Sequence, residues 1–143
     1  MRKTLLFILV LIFLFSFVGY QNQKAIQQEV VDYVEKNYDL LVEYCSTGNT
    51  AALSALDIVK KVAVTDGYIL VYCKGSGIAP SSQDYGFYYS ADHLPVAVDC
   101  NLDIICSSEN LTPEGVGYQY VHNGNVFYTE HILGNLYFYS NAY

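Results

Sequence analysis

Residues 116–140 read VGYQYVHNGNVFYTEHILGNLYFYS, and this stretch decides the fold. Apolar and aromatic residues alternate with polar ones, which is the period of a half-buried strand. Two short breaks divide it, Asn123-Gly124 and Gly134-Asn135. Both dipeptides accept the positive φ angles that close tight hairpins. The segments 116–122, 126–133 and 136–140 are therefore expected to be three antiparallel strands.

Upstream, the same signals recur. Segments 59–64 and 68–73 flank Thr65-Asp66-Gly67, a hairpin signal for which a type I′ turn is expected. Residues 74–84 form a loop rich in Gly, Ser and Pro. Residues 85–91 read as a strand and 92–95 as its turn. Shorter strands are expected at 96–100 and 104–106, followed by a loop over 107–115. No helix-length pattern separates these strands, so parallel crossovers are not expected.

The period changes again before residue 50. Ile26, Val30, Val34, Tyr38, Leu41 and Cys45 recur at spacings of three and four, which draws one apolar stripe on a helix over 22–47. Asn22 can cap its start, and Gly48 suits the left-handed position after its end. Asn49 or Thr50 then caps a short helix over 51–56. The expected fold is α+β. Two N-terminal helices precede a mostly antiparallel meander sheet of about six or seven strands, with an apolar signal or anchor helix before them.

That leading segment is unlike the rest. Arg2 and Lys3 precede a run over 5–18 that is broken only by Ser16. A short basic region before such a run is an export signal. As a helix, 5–20 would span roughly 24 Å, against a hydrocarbon core of about 30 Å. Residues 1–20 are expected to be a signal peptide or an uncleaved membrane anchor. Residues 21–143 are expected to be a single extracytoplasmic domain, at the outer face of the cell membrane or secreted. Residues 5–19 carry the membrane contact if the segment is not cleaved. They should form a helix detached from the domain.

Charge excludes one class of partner. All seven Lys and Arg residues lie at or before Lys74. In residues 21–143 five bases stand against fourteen acids, a net of −9. Nucleic-acid binding needs basic side chains to neutralise phosphates, so no nucleic-acid partner is expected. The acidity also opposes contact of the C-terminal half with an anionic lipid surface.

Candidate chemistry is sparse. His93, His122 and His131 have no metal-ligand spacing, and the four cysteines form no CxxC pair, so no metal is expected. No nucleophile elbow or phosphate-binding loop occurs, and no cofactor or catalytic residue is expected. Four cysteines in an exported chain allow three pairings. Cys45 and Cys73 fall in apolar stretches and read equally well as buried thiols. Cys100 and Cys106 flank a short turn and are the easiest pair to close into a disulfide.

Fifteen tyrosines and no tryptophan make the composition unusual. Strand parity sorts the C-terminal ones. Tyr120, Phe127, Thr129, His131, Leu133, Leu136 and Phe138 fall on one face, read as core with His131 an inner histidine. Val126, Tyr128, Glu130, Ile132, Tyr137 and Tyr139 fall on the other. With a two-residue turn at Gly134-Asn135, Ile132 opposes Tyr137 and Glu130 opposes Tyr139. Tyr128, Glu130, Tyr137 and Tyr139 are thus the candidate ligand-binding band, an amphipathic surface suited to a protein or a sugar.

The residues Asp66-Gly67-Tyr68, Tyr72-Cys73-x-Gly75-x-Gly77, Pro80-x-Ser82 and Tyr85-Gly86-Phe87-Tyr88-Tyr89-Ser90 resemble a family of small exported lipoproteins of Gram-positive bacteria. Phe127-Tyr128-Thr129-Glu130 and Tyr137-Phe138-Tyr139 are similar to its closing strands. The resemblance implies an address at the cell envelope and no catalytic residue. Phe17-Val18-Gly19 fits the residues before a lipid-bearing Cys, but Tyr20 stands where that Cys would be. The function expected is a non-enzymatic module that binds a protein or cell-envelope component. A small hydrolase acting on envelope polymers is the alternative.

Overall fold

A computed structural model describes residues 2–77 and 82–143. Side chains are described from residue 8, apart from residues 15–18 and 78–81. The middle of the expected 74–84 loop, with Pro80, lies outside the described residues.

Among the described residues the chain runs α1 (Arg2–Lys36), α2 (Tyr38–Ser46) and α3 (Thr50–Ser54), and then nine strands. These are β1 (Lys61–Thr65), β2 (Tyr68–Ser76), β3 (Gln83–Ser90), β4 (Ala97–Val98), β5 (Ile104–Cys106), β6 (Thr112–Glu114), β7 (Gly117–His122), β8 (Asn125–Leu133) and β9 (Leu136–Ala142). The fold is α+β. Seven strands form one antiparallel sheet in the order β1-β2-β3-β9-β8-β7-β6, and β4 with β5 makes a separate ribbon. The last strand lies inside the sheet. It joins the meander β1–β3 to the meander β6–β8.

The expected helix over 22–47 is divided, and its start is not capped at Asn22. α1 runs through Asn22 without interruption. The break comes at Asn37, whose side-chain Nδ2 donates to the Tyr33 carbonyl at 2.8 Å. That carbonyl already accepts from the Asn37 backbone N–H. Such local bonding by Asn competes with the helix ladder. The apolar stripe is nonetheless as expected: Ile26, Val30, Val34, Leu41 and Cys45 are all buried against the sheet. Asn49 caps α3, its side chain accepting from the Ala52 N–H at 3.1 Å.

The sheet has two covered faces. The helices bury one, over Ile69, Val71, Phe87, Leu136 and Phe138. The β4–β5 ribbon buries part of the other, placing Val96, Val98 and Leu102 over Leu70, Tyr88, Tyr137 and Tyr139. Tyr88 is the centre of this second core. Its ring stacks on Tyr137 at 5.1 Å and an interplanar angle of 5°. Its hydroxyl meets Thr129 Oγ1 at 2.6 Å and accepts from the Val96 N–H at 2.9 Å.

Two ends of the sheet are distinguished by what meets them. At one, Gln83, Ala142, Val126 and Val121 form a row of cross-strand partners. Residues 20–27 of α1 lie at this end, beside Gln83, Tyr128 and Ser140. At the other end lie Gly67, Ser90, Ala91 and Asn135.

The hairpin turns differ in type. Asn123 and Gly124 both have positive φ (52° and 82°), as type I′ requires. At Asp66-Gly67 only Gly67 does (φ 75°), so that turn is not type I′. A β-branched residue at Gly67 would still be strained, although space there is open. Gly67→Val is expected to cost about 1–3 kcal/mol in urea unfolding; an unchanged midpoint would contradict the turn.

Candidate functional site

The expected tyrosine band does not form, and a single bulge is the reason. Leu133 pairs with Leu136 as a two-residue turn demands, but the register shifts between His131 and Leu133. Ile132 is the extra residue, so His131 pairs with Tyr137, Glu130 with Phe138 and Thr129 with Tyr139. A one-residue shift exchanges faces. Tyr128 and Glu130 therefore lie half-buried on the helix side, while Tyr137 (6% exposed) and Tyr139 (1%) are core on the opposite side. His131 and Leu133, expected inside, are exposed.

Tyr139 is buried for its ring. Gly86 is its cross-strand partner. A Cβ at Gly86 would stand 2.6 Å from the Tyr139 ring and closer still to the Val71 carbonyl. An aromatic ring laid over a strand glycine in this way replaces the side chain the glycine lacks. The Tyr139 hydroxyl has no hydrogen-bond partner in the protein among the described residues.

The cysteine expectation also changes. All four thiols are free, and Cys100–Cys106 is not closed. Cys106 pairs with Ala97 across the ribbon and is buried, whereas Cys100 is exposed in the turn. That turn is fixed by Asp99, whose Oδ1 accepts from the Asn101 and Asp103 N–H groups at 2.9 Å each. Burial pushes the Cys45 and Cys73 thiols up to about 12, where they stay protonated and poorly nucleophilic.

Three clefts bear on function. The largest, about 480 Å³, lies at the end of the sheet remote from residues 20–27. α2 ends there with Ser46 and Thr47, and Gly48 takes the left-handed conformation (φ 67°) that turns the chain away. The β1–β2 hairpin supplies Thr65 and Tyr68, and the end of β3 supplies Tyr89. Hydroxyls and half-buried rings line this cleft, with no charged side chain among its lining residues. Its size falls within the roughly 300–1,000 Å³ of small-ligand sites. Sequence reasoning missed it because its walls come from three separated segments. Gly48 and Gly67, each marking a turn, were the available signals.

A second cleft of about 230 Å³ holds two carboxylates, Glu29 and Asp57. Both are engaged. Lys74 Nζ pairs with Glu29 at 3.0 Å, and Asp57 accepts from the Ile58 N–H at 2.9 Å. The third cleft, about 270 Å³, lies between α1 and the sheet and is lined by Tyr20, Lys24, Gln83 and Tyr128. Behind it Glu130 accepts from Gln27 Nε2 at 3.0 Å and from the Tyr128 hydroxyl at 2.8 Å. Burial, then the bond to Glu130, raises the Tyr128 hydroxyl well above the ordinary tyrosine value.

The histidines are closer than their turns suggest. His93 Nδ1 and His131 Nε2 both meet the Gly134 carbonyl, at 3.3 and 2.8 Å. His122 stacks on Tyr120 near the β7–β8 turn, at the other end. No group of three metal-ligating side chains occurs among the described residues.

Fold and clefts define an α+β domain whose first helix begins in an apolar stretch that fits a signal or an anchor. No family model, curated protein or solved structure matches the chain.

Proposed function

We propose that this chain is a membrane-tethered extracytoplasmic binding module, akin to the exported lipoproteins it resembles but held by α1 in place of a lipid. The observation that carries the reading is the continuity of α1. One uninterrupted helix holds exposed apolar residues 8–14 and, further along, the buried stripe Ile26, Val30 and Val34. The first part has no place in the soluble core and suits lipid. The second is locked to the sheet. Phe17 stands two before Gly19, where a cleavage site wants a small residue, and this, with Arg2 and Lys3 on the inner side, agrees with retention.

The partner-binding site is the 480 Å³ cleft, which faces away from the tether and so toward the envelope. Its lining of Ser46, Thr47, Thr65, Tyr68 and Tyr89 suits an uncharged, hydroxyl- or amide-bearing group of a protein or envelope polymer. Ser46 is exposed at the rim, so Ser46→Trp should fill the cleft without disturbing the core. Full-length protein in detergent is to be mixed with purified cell-wall polymer and with solubilised envelope proteins. The wild type should retain one component that Ser46→Trp loses by at least about tenfold, the scale of a hot-spot contact. Equal retention by both proteins would overturn the cleft assignment.

A further inference from the structure

We propose that the tip of the β7–β8 hairpin is a second membrane contact, seating Val121 and Val126 on the outer leaflet of the bilayer that holds α1; this rests on the tether reading. Three observations on this hairpin converge.

The first is position. Val121 and Val126 are cross-strand partners. They continue the row Gln83–Ala142 at the end of the sheet where residues 20–27 of α1 lie. They also share the sheet face of Tyr128 and Glu130, which is the face α1 covers. From Gly19, the last residue before the polar sequence, to Gln27 the helix rises only about 12 Å. The headgroup zone of one leaflet is roughly 5–8 Å thick. Tyr20 and Lys24, whose ammonium stands 4.9 Å from the Tyr20 ring centroid, therefore fall at headgroup depth, at the same end of the sheet as the hairpin tip.

The second is exposure. Val121 is 56% and Val126 37% exposed, although both are β-branched strand residues. Among the described residues, neither belongs to a packed apolar cluster.

The third is charge. Residues 115–129 contain no Asp, Glu, Lys or Arg, within a domain whose net charge is −9. An anionic leaflet repels carboxylates approaching within a Debye length. Residues 115–129 of the β7–β8 hairpin are free of them, as are residues 131–143, and the hairpin tip lies at the end of the sheet where residues 20–27 of α1 lie. A bilayer interface tolerates such a neutral, aliphatic and aromatic tip; a charge-matched protein groove would not select for it.

The protein has no tryptophan, so one indole reports without background. Full-length Val121→Trp, and separately Val126→Trp, is to be reconstituted into vesicles of phosphatidylglycerol and phosphatidylethanolamine, with Val64→Trp as a control at the far end of the sheet. The expected result is a blue-shifted emission at 121 or 126 that brominated acyl chains quench, with no quenching at 64. Vesicle flotation is scored on the same samples. Proteins that float while all three indoles escape quenching would overturn the hairpin contact and leave the tether standing. A blue shift without quenching would assign the tip to a second copy of the chain and also overturn it. Failure to float would overturn both.

Discussion

Tyr88→Ala is expected to lower the unfolding free energy by about 3–5 kcal/mol, the range for removing a large buried aromatic. Tyr88 is fully buried between the sheet and the β4–β5 ribbon, against Tyr137, Tyr139 and Tyr68. Its loss opens a cavity under Val96 and Val98 that the short ribbon cannot collapse to fill. Tyr88→Phe separates ring from hydroxyl. It leaves the Val96 N–H and the Thr129 hydroxyl without this partner, at about 1–3 kcal/mol for a buried group left unsatisfied. Thr129 still donates to the Phe138 carbonyl at 3.1 Å, so the Val96 N–H is the principal orphan. Urea unfolding of the full chain in detergent measures both. A cost below about 1 kcal/mol for Tyr88→Ala would mean that the ribbon does not pack on this face.

Gly86→Ala should be nearly as damaging, at about 3 kcal/mol, the upper end of overpacking. One methyl group is added, yet it meets the Val71 carbonyl of the neighbouring strand as well as the Tyr139 ring. The ring can move; the carbonyl cannot without breaking the β2–β3 register. Trimming the ring in Gly86→Ala/Tyr139→Ser should therefore fail to restore stability, and Tyr139→Ser should itself be destabilising. If Gly86→Ala melts like the wild type, β2 and β3 are not paired as described.

Local patterns carried most of the fold. The spacing of Ile26, Val30 and Val34 marked the buried side of α1, and Asn123-Gly124 marked the turn between β7 and β8. Long-range facts were not legible. Nothing in residues 136–142 says that β9 lies between β3 and β8, because that choice depends on which edges remain open once both meanders exist. β6 was missed because Thr112–Glu114 is short, exposed and contains Pro113, and so resembles a loop.

The candidate site suffered most from one residue. Parity counting assumes that every residue of a strand is paired, and Ile132 is not. The error placed Tyr137 and Tyr139 outside with Tyr128 and Glu130. The separated segments Ser46–Gly48, Thr65–Tyr68 and Tyr89 share no periodic pattern, so their meeting in one cleft is visible only after folding.

In the proposed function, α1 remains whole and tethers the domain. The most direct measurement is intact mass spectrometry of the chain recovered from carbonate-washed membranes of the producing cell, beside protease treatment of intact cells. A membrane-bound chain that still carries residues 1–20 and is digested from outside is the expected result. A chain beginning near residue 20 in the medium, or an intact chain in the cytosol, would contradict it.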